Sequence, residues 1–137
     1  MKVNTANLIE IDETKDNNLN VLLSINGKDT PRWEGYNYIL NRKALTKGVG
    51  KTNLEKVSAN GKYEFTSVSE CDYFMGNDYL NIKIPLNDLG IEAGEQFAID
   101  LKVADGISEP YNIMNYYIDG DSAPIGRLNY RYNSYHK

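Results

Sequence analysis

The ten residues Trp33-Glu34-Gly35-Tyr36-Asn37-Tyr38-Ile39-Leu40-Asn41-Arg42 contain the only tryptophan of a 137-residue chain. Alternation after Gly35 places Tyr36, Tyr38 and Leu40 on one face of a strand, with Asn37, Ile39 and Asn41 on the other. A strand this rich in rings is either a core wall or a surface on which a ligand stacks. Composition and spacing leave both open.

Working outward, the flanks carry more alternating runs. Residues 3–11 read as a ragged or edge strand. In residues 19–25, Leu19, Val21, Leu23 and Ile25 share one face. Asn26-Gly27 and Asn60-Gly61 are turn signals, and Gly76-Asn77-Asp78 is a third. After Arg42, Gly48 and Gly50 mark residues 43–51 as an exposed loop, followed by a short strand over 52–57. Tyr63, Phe65 and Ser67 alternate, and residues 69–75 are ambiguous. Residues 79–84 alternate cleanly, residues 85–90 suit one helical turn, and Phe97, Ile99, Leu101 and Val103 alternate again. Strands are also expected over 113–118 and 127–132. Eight or more short strands without a sustained helical period predict one all-β domain over residues 1–137, an antiparallel sandwich or barrel.

The formal charge of −4 supplies no basic field for nucleic acid or an anionic membrane. No apolar run approaches the roughly 20 residues that span a bilayer. Catalysis finds little material. The one histidine, His136, sits next to the end of the sequence, and the one cysteine, Cys71, reads as a small buried apolar residue. Asp100, Asp105, Asp119 and Asp121 are candidates for a carboxylate pair of the glycosidase kind, with solvated surface charge as the bland account. The expectation is therefore a chain that is not an enzyme. Asp119-Gly120-Asp121 reads either as half of a Ca²⁺ loop or as a turn closing on its own backbone.

Eleven tyrosines against three phenylalanines is an unusual ratio for a core, since each buried hydroxyl needs a partner. Their flat faces and polar edges suit pyranose rings. Trp33, Tyr36 and Tyr38 are the candidate stacking residues, and Asn41, Arg42 and Arg127 are candidates for binding hydroxyls.

The Trp33–Arg42 segment resembles the W-x-G-Y-D-Y-x-x-N-R segment of bacterial domains similar to family 9 carbohydrate-binding modules, within the DOMON-like group of β-sandwiches. The run from Ile118 through Asp119, Asp121, Pro124, Gly126, Arg127, Asn129 and Tyr130 to Tyr132 resembles the N-G-D-x-A-P-x-G-R-F-N-Y-x-Y end of those domains. Asn18–Ile25 is similar to their N-W-M-x-L-x-I-D strand and Thr52–Glu55 to their T-x-L-E segment. The likeness covers about residues 17–132. It implies a jelly-roll-like sandwich serving as a non-catalytic carbohydrate-binding accessory module, outside the cell or on its surface. It also implies Ca²⁺ at Asp119 and Asp121 and a neighbouring domain in a longer protein, of which this chain would be the C-terminal module. The family's clamp uses two tryptophans, and the position of the second is Leu19 here. These domains also carry further N-terminal strands, so an open sheet edge that a second copy covers is expected. The alternative is a structural or interaction β-sandwich domain without a sugar ligand.

Overall fold

The computed structural model describes residues 2–4, 19–42, 45–77, 79–105, 111–114, 121–123 and 130–133, with backbone alone for 2–4, 105, 121–123, 130 and 133. Nine strands lie among them: β1 (Lys2–Asn4), β2 (Asn20–Ile25), β3 (Tyr38–Leu40), β4 (Gly48–Val57), β5 (Phe65–Met75), β6 (Tyr79–Ile82), β7 (Ala98–Asp105), β8 (Asp121–Ala123) and β9 (Tyr130–Asn133). All pairings are antiparallel, and the order is β1-β6-β5-β4-β3-β2-β7. The far edge of β7 is shared: β8 pairs with Val103–Asp105 and β9 with Ala98–Leu101. The sheet curls into a half-barrel.

Alternation decides which side chains enter the concave side. Val21, Leu23 and Ile25 of β2 join Leu40, Leu54, Cys71, Met75, Leu80, Ile82 and Val103 in the main core. A 3₁₀ turn over Leu86–Leu89 ends on Gly90 in the left-handed conformation. It buries Leu89 there and leaves Leu86 exposed. Cys71 is buried as expected.

Four expectations are corrected. Residues 48–51 are strand rather than loop, and Gly50 is there for packing. A Cβ at Gly50 would sit 2.6 Å from the Tyr73 hydroxyl, which donates to the Thr46 carbonyl across that position. Residues 69–75 are ambiguous in sequence because the ladder slips between Leu54 and Glu55, leaving Val68 as an extra residue. Phe65 therefore belongs to the convex side, whereas Cys71, Tyr73 and Met75 point into the main core. Ile113 and Met114 are helical where a strand was expected. The fourth correction concerns Trp33–Tyr36.

Trp33 and Tyr36 do not begin β3. They flank a two-residue hairpin turn, exchanging backbone hydrogen bonds of 2.9 Å in both directions. Glu34 (φ 50°) and Gly35 (φ 93°) both have positive φ, as a type I′ turn requires. The chain then shifts face at Asn37. Tyr36 joins Leu22, Trp33, Ile39, Val57 and Ala104 in a second cluster on the convex side, while Tyr38 and Leu40 enter the main core.

Lys102 lies on that convex side opposite Leu22 and is fully buried. Burial pushes its amine below the usual lysine value. In the pH range just below about 10.4, the folded chain then binds fewer protons than the unfolded chain, so stability rises with pH, by at most ~1.4 kcal/mol per unit. Urea unfolding followed from neutral pH up towards about 10 is expected to show this rise. Lys102→Met is expected to remove it, and an equal rise in the variant would contradict a lowered lysine pKa.

Candidate binding face

The Trp33–Arg42 segment is held from within. Asn37 Oδ1 accepts from the Ile25 backbone N–H at 2.7 Å, and its Nδ2 donates to Thr30 Oγ1 at 2.7 Å. Asn41, at φ 64°, donates to the Leu19 carbonyl at 2.9 Å and accepts from the Thr52 hydroxyl at 2.6 Å. Arg42 makes a two-pronged pair with Glu55, 2.8 Å on each arm, and its guanidinium lies 4.8 Å from the Phe65 ring centre. Trp33 packs edge-on against Tyr63 at 5.0 Å, and Tyr63 edge-on against Phe65 at 4.8 Å. The resemblance's Thr52–Glu55 segment thus meets the Trp33–Arg42 segment through two side-chain contacts, Thr52 to Asn41 and Glu55 to Arg42.

The stacking surface expected on Trp33, Tyr36 and Tyr38 is not presented. Their exposures are 5%, 4% and 7%, and Asn41 is 1% exposed. The physical reason is the face shift at the hairpin, which divides the rings between two cores. Burial raises the Tyr38 hydroxyl above its usual pKa. Of the expected hydroxyl-binding residues, Arg42 alone reaches a surface depression among the described side chains. That depression, about 380 Å³, is lined by Arg42, Leu45, Lys51, Thr52, Asn53, Glu55 and Glu70. Asp119 and Arg127 lie outside the described residues, and Asp121 contributes backbone only, directly opposite Asp105 in the ladder. The Ca²⁺ expectation therefore falls outside the described side chains. Among the described residues, no group of three or more potential metal ligands is gathered. Asp100 receives two hydrogen bonds from Arg131, which hold its carboxyl below the usual range. A glycosidase acid needs the opposite shift.

Rings are presented elsewhere. On the convex side of β5 and β6, Phe74 is 40% exposed, and its ring centre lies 5.6 Å from that of Tyr79 at an interplanar angle of 31°. Val49 of β4, 82% exposed, stands directly opposite Phe74 in the ladder, as does Asn81 of β6. The same face continues along the two strands with Lys51 opposite Asp72, joined by a 2.8 Å ion pair, and then Asn53 opposite Glu70. Tyr79 also lies over Gly76, where a Cβ would fall 2.4 Å from the ring edge, so the glycine makes room for it. Sequence reading missed this pair because Phe74 lies in the stretch that the Val68 bulge obscured.

Arg32, another residue missed in sequence, ties the loop before the hairpin to β2. It donates to the Ser24 hydroxyl at 2.6 Å and to the Ile25 carbonyl at 2.8 Å. Its contacts to the Lys28 and Gly35 carbonyls close the same loop. A separate concavity of about 290 Å³, lined by Leu23, Ile84, Leu86, Leu89, Phe97, Ile99, Leu101 and Tyr132, offers mainly apolar walls.

No protein-family model, curated protein or solved structure matches the chain.

Proposed function

We propose that this chain is a non-catalytic domain that binds carbohydrate through the convex face of β4, β5 and β6, with the Trp33–Arg42 segment serving the fold. One observation carries the reading: a ring pair, exposed Phe74 and half-buried Tyr79 tilted 31° from it, adjoins a row of amide and charged side chains. Rings supply apolar faces for a pyranose, and the row supplies directional donors and acceptors. The resemblance to family 9 carbohydrate-binding modules supports the same class of ligand. With it come a jelly-roll-like sandwich built around the half-barrel, a role beside a neighbouring domain, and a place outside the cell or on its surface.

Affinity electrophoresis in gels containing soluble β-glucan, xylan or galactomannan tests the reading. Retardation in at least one gel is expected. Phe74→Ala is expected to weaken binding about tenfold, the equivalent of ~1.4 kcal/mol for a partly covered ring. The φ of Gly76 lies outside the left-handed region, so Gly76→Ala is expected to displace the Tyr79 ring and weaken binding without unfolding the chain. Binding that survives both substitutions unchanged would place the ligand elsewhere.

A second reading, a domain that docks a neighbouring protein without a sugar, is favoured by the exposure of Val49 beside Phe74. It predicts no retardation in any gel.

A further inference from the structure

We infer that the convex face takes the interior of an extended, uncharged polysaccharide chain, without needing a chain end; this rests on the carbohydrate reading above. The first ground is length. From Val49 to Glu55 the face follows six steps of β4, about 20 Å at ~3.3 Å per residue. The ring pair lies at one end of this strip, and the polar depression runs from Lys51 to Arg42 and Glu55 at the other. One sugar ring cannot touch both ends.

The second ground is openness. Val49, Lys51 and Asn53 are exposed along β4, as are Glu70, Asp72 and Phe74 across from them. Recognition of a chain end needs groups that surround the terminal ring. This face instead supports a ligand from one side, so the chain can run past at both ends.

The third ground is charge. The strip carries Arg42, Lys51 and Lys83 against Glu55, Glu70 and Asp72, three of each sign. Two of the opposite pairs are already joined, Arg42–Glu55 and Lys51–Asp72, each at 2.8 Å. The Lys51 ammonium holds the Asp72 carboxyl below its usual range. An acidic polysaccharide would have to displace a carboxylate that is already in place. A neutral one meets donors and acceptors without a net field.

Calorimetric titration with a ladder of neutral oligosaccharides, each in native and borohydride-reduced form, tests the inference. The ladder is taken from the polysaccharide that retards the protein most. Affinity is expected to rise with length and level off only once the ligand spans the strip. Native and reduced forms are expected to agree within about twofold. Glu70→Ala, an exposed change far from the rings, is expected to weaken long ligands by several-fold and leave the shortest unaffected. If the shortest oligosaccharide binds as tightly as the polymer, or reduction abolishes binding, the interior-chain inference falls while the carbohydrate reading stands. If no polysaccharide or oligosaccharide binds, the carbohydrate reading falls and the inference with it.

Discussion

Trp33→Ala is expected to lower unfolding free energy by about 3–5 kcal/mol, the usual cost of removing a large ring from a core. Trp33 is 5% exposed and supports the edge-on row through Tyr63 to Phe65. Its loss opens a gap beneath Tyr36 and Ile39, and the rigid hairpin cannot collapse fully to fill it. Urea unfolding followed by circular dichroism gives the number, since the fluorescent probe is lost with the residue. A ligand-stacking tryptophan would behave in the opposite manner. Its removal would change stability by no more than about 0.5 kcal/mol, as for other surface substitutions, and abolish sugar binding.

Asn41→Ala is expected to cost about 2–4 kcal/mol through two effects that can be separated. The side chain is the buried partner of both the Leu19 carbonyl and the Thr52 hydroxyl. Each group left unpaired carries a penalty of ~1–3 kcal/mol. The backbone at φ 64° also suits asparagine better than alanine. Asn41→Gly removes the same hydrogen bonds and tolerates the same φ. It is therefore expected to be less damaging than alanine, and the difference measures the conformational share. Equal and small losses in both variants would show that Asn41 is replaceable.

The sheet's strands were legible wherever a ladder runs without interruption. Val21, Leu23 and Ile25, then Ile99, Leu101 and Val103, alternate in phase over whole strands, and β2 and β7 pair along their full shared length. Legibility failed where one residue changes the phase. The step at Asn37 leaves Tyr36 in a different cluster from Tyr38, and Val68 reverses the sense of β5 midway. A rule based on period two carries no information about such a step. Glycine misled for a different reason. Gly48 and Gly50 look like loop punctuation, yet Gly50 is the space occupied by the Tyr73 ring. The candidate site was less legible still. Tyrosine content argued against a core, yet Tyr36, Tyr38 and Tyr73 are buried, because burial depends on how the sheet curls, which no local pattern records. Asn41 and Arg42 look like hydroxyl-binding groups for the same chemical reason that they serve as internal clamps. The exposed Phe74 carried no signal beyond an aromatic residue in an ambiguous stretch.

The pairing of β2 with β7 bears on how the chain reaches its folded state. Asn20 meets Ala104, and Ile25 meets Ile99, so β2 gains its second neighbour only after β3 to β6 have been made and laid down on its other side. The β4–β5 and β5–β6 hairpins can zip locally, whereas the β2–β7 closure must recruit partners more than seventy residues apart, as the Ile25–Ile99 register requires. Folding dominated by such distant pairs is slow, on the millisecond-to-second scale of other β topologies. During synthesis the free edge of β2 stays open until residue 104 has emerged, and Val21, Leu23 and Ile25 wait there for their covering strand. A short apolar segment in that position is where a nascent chain would pair wrongly or call on a chaperone.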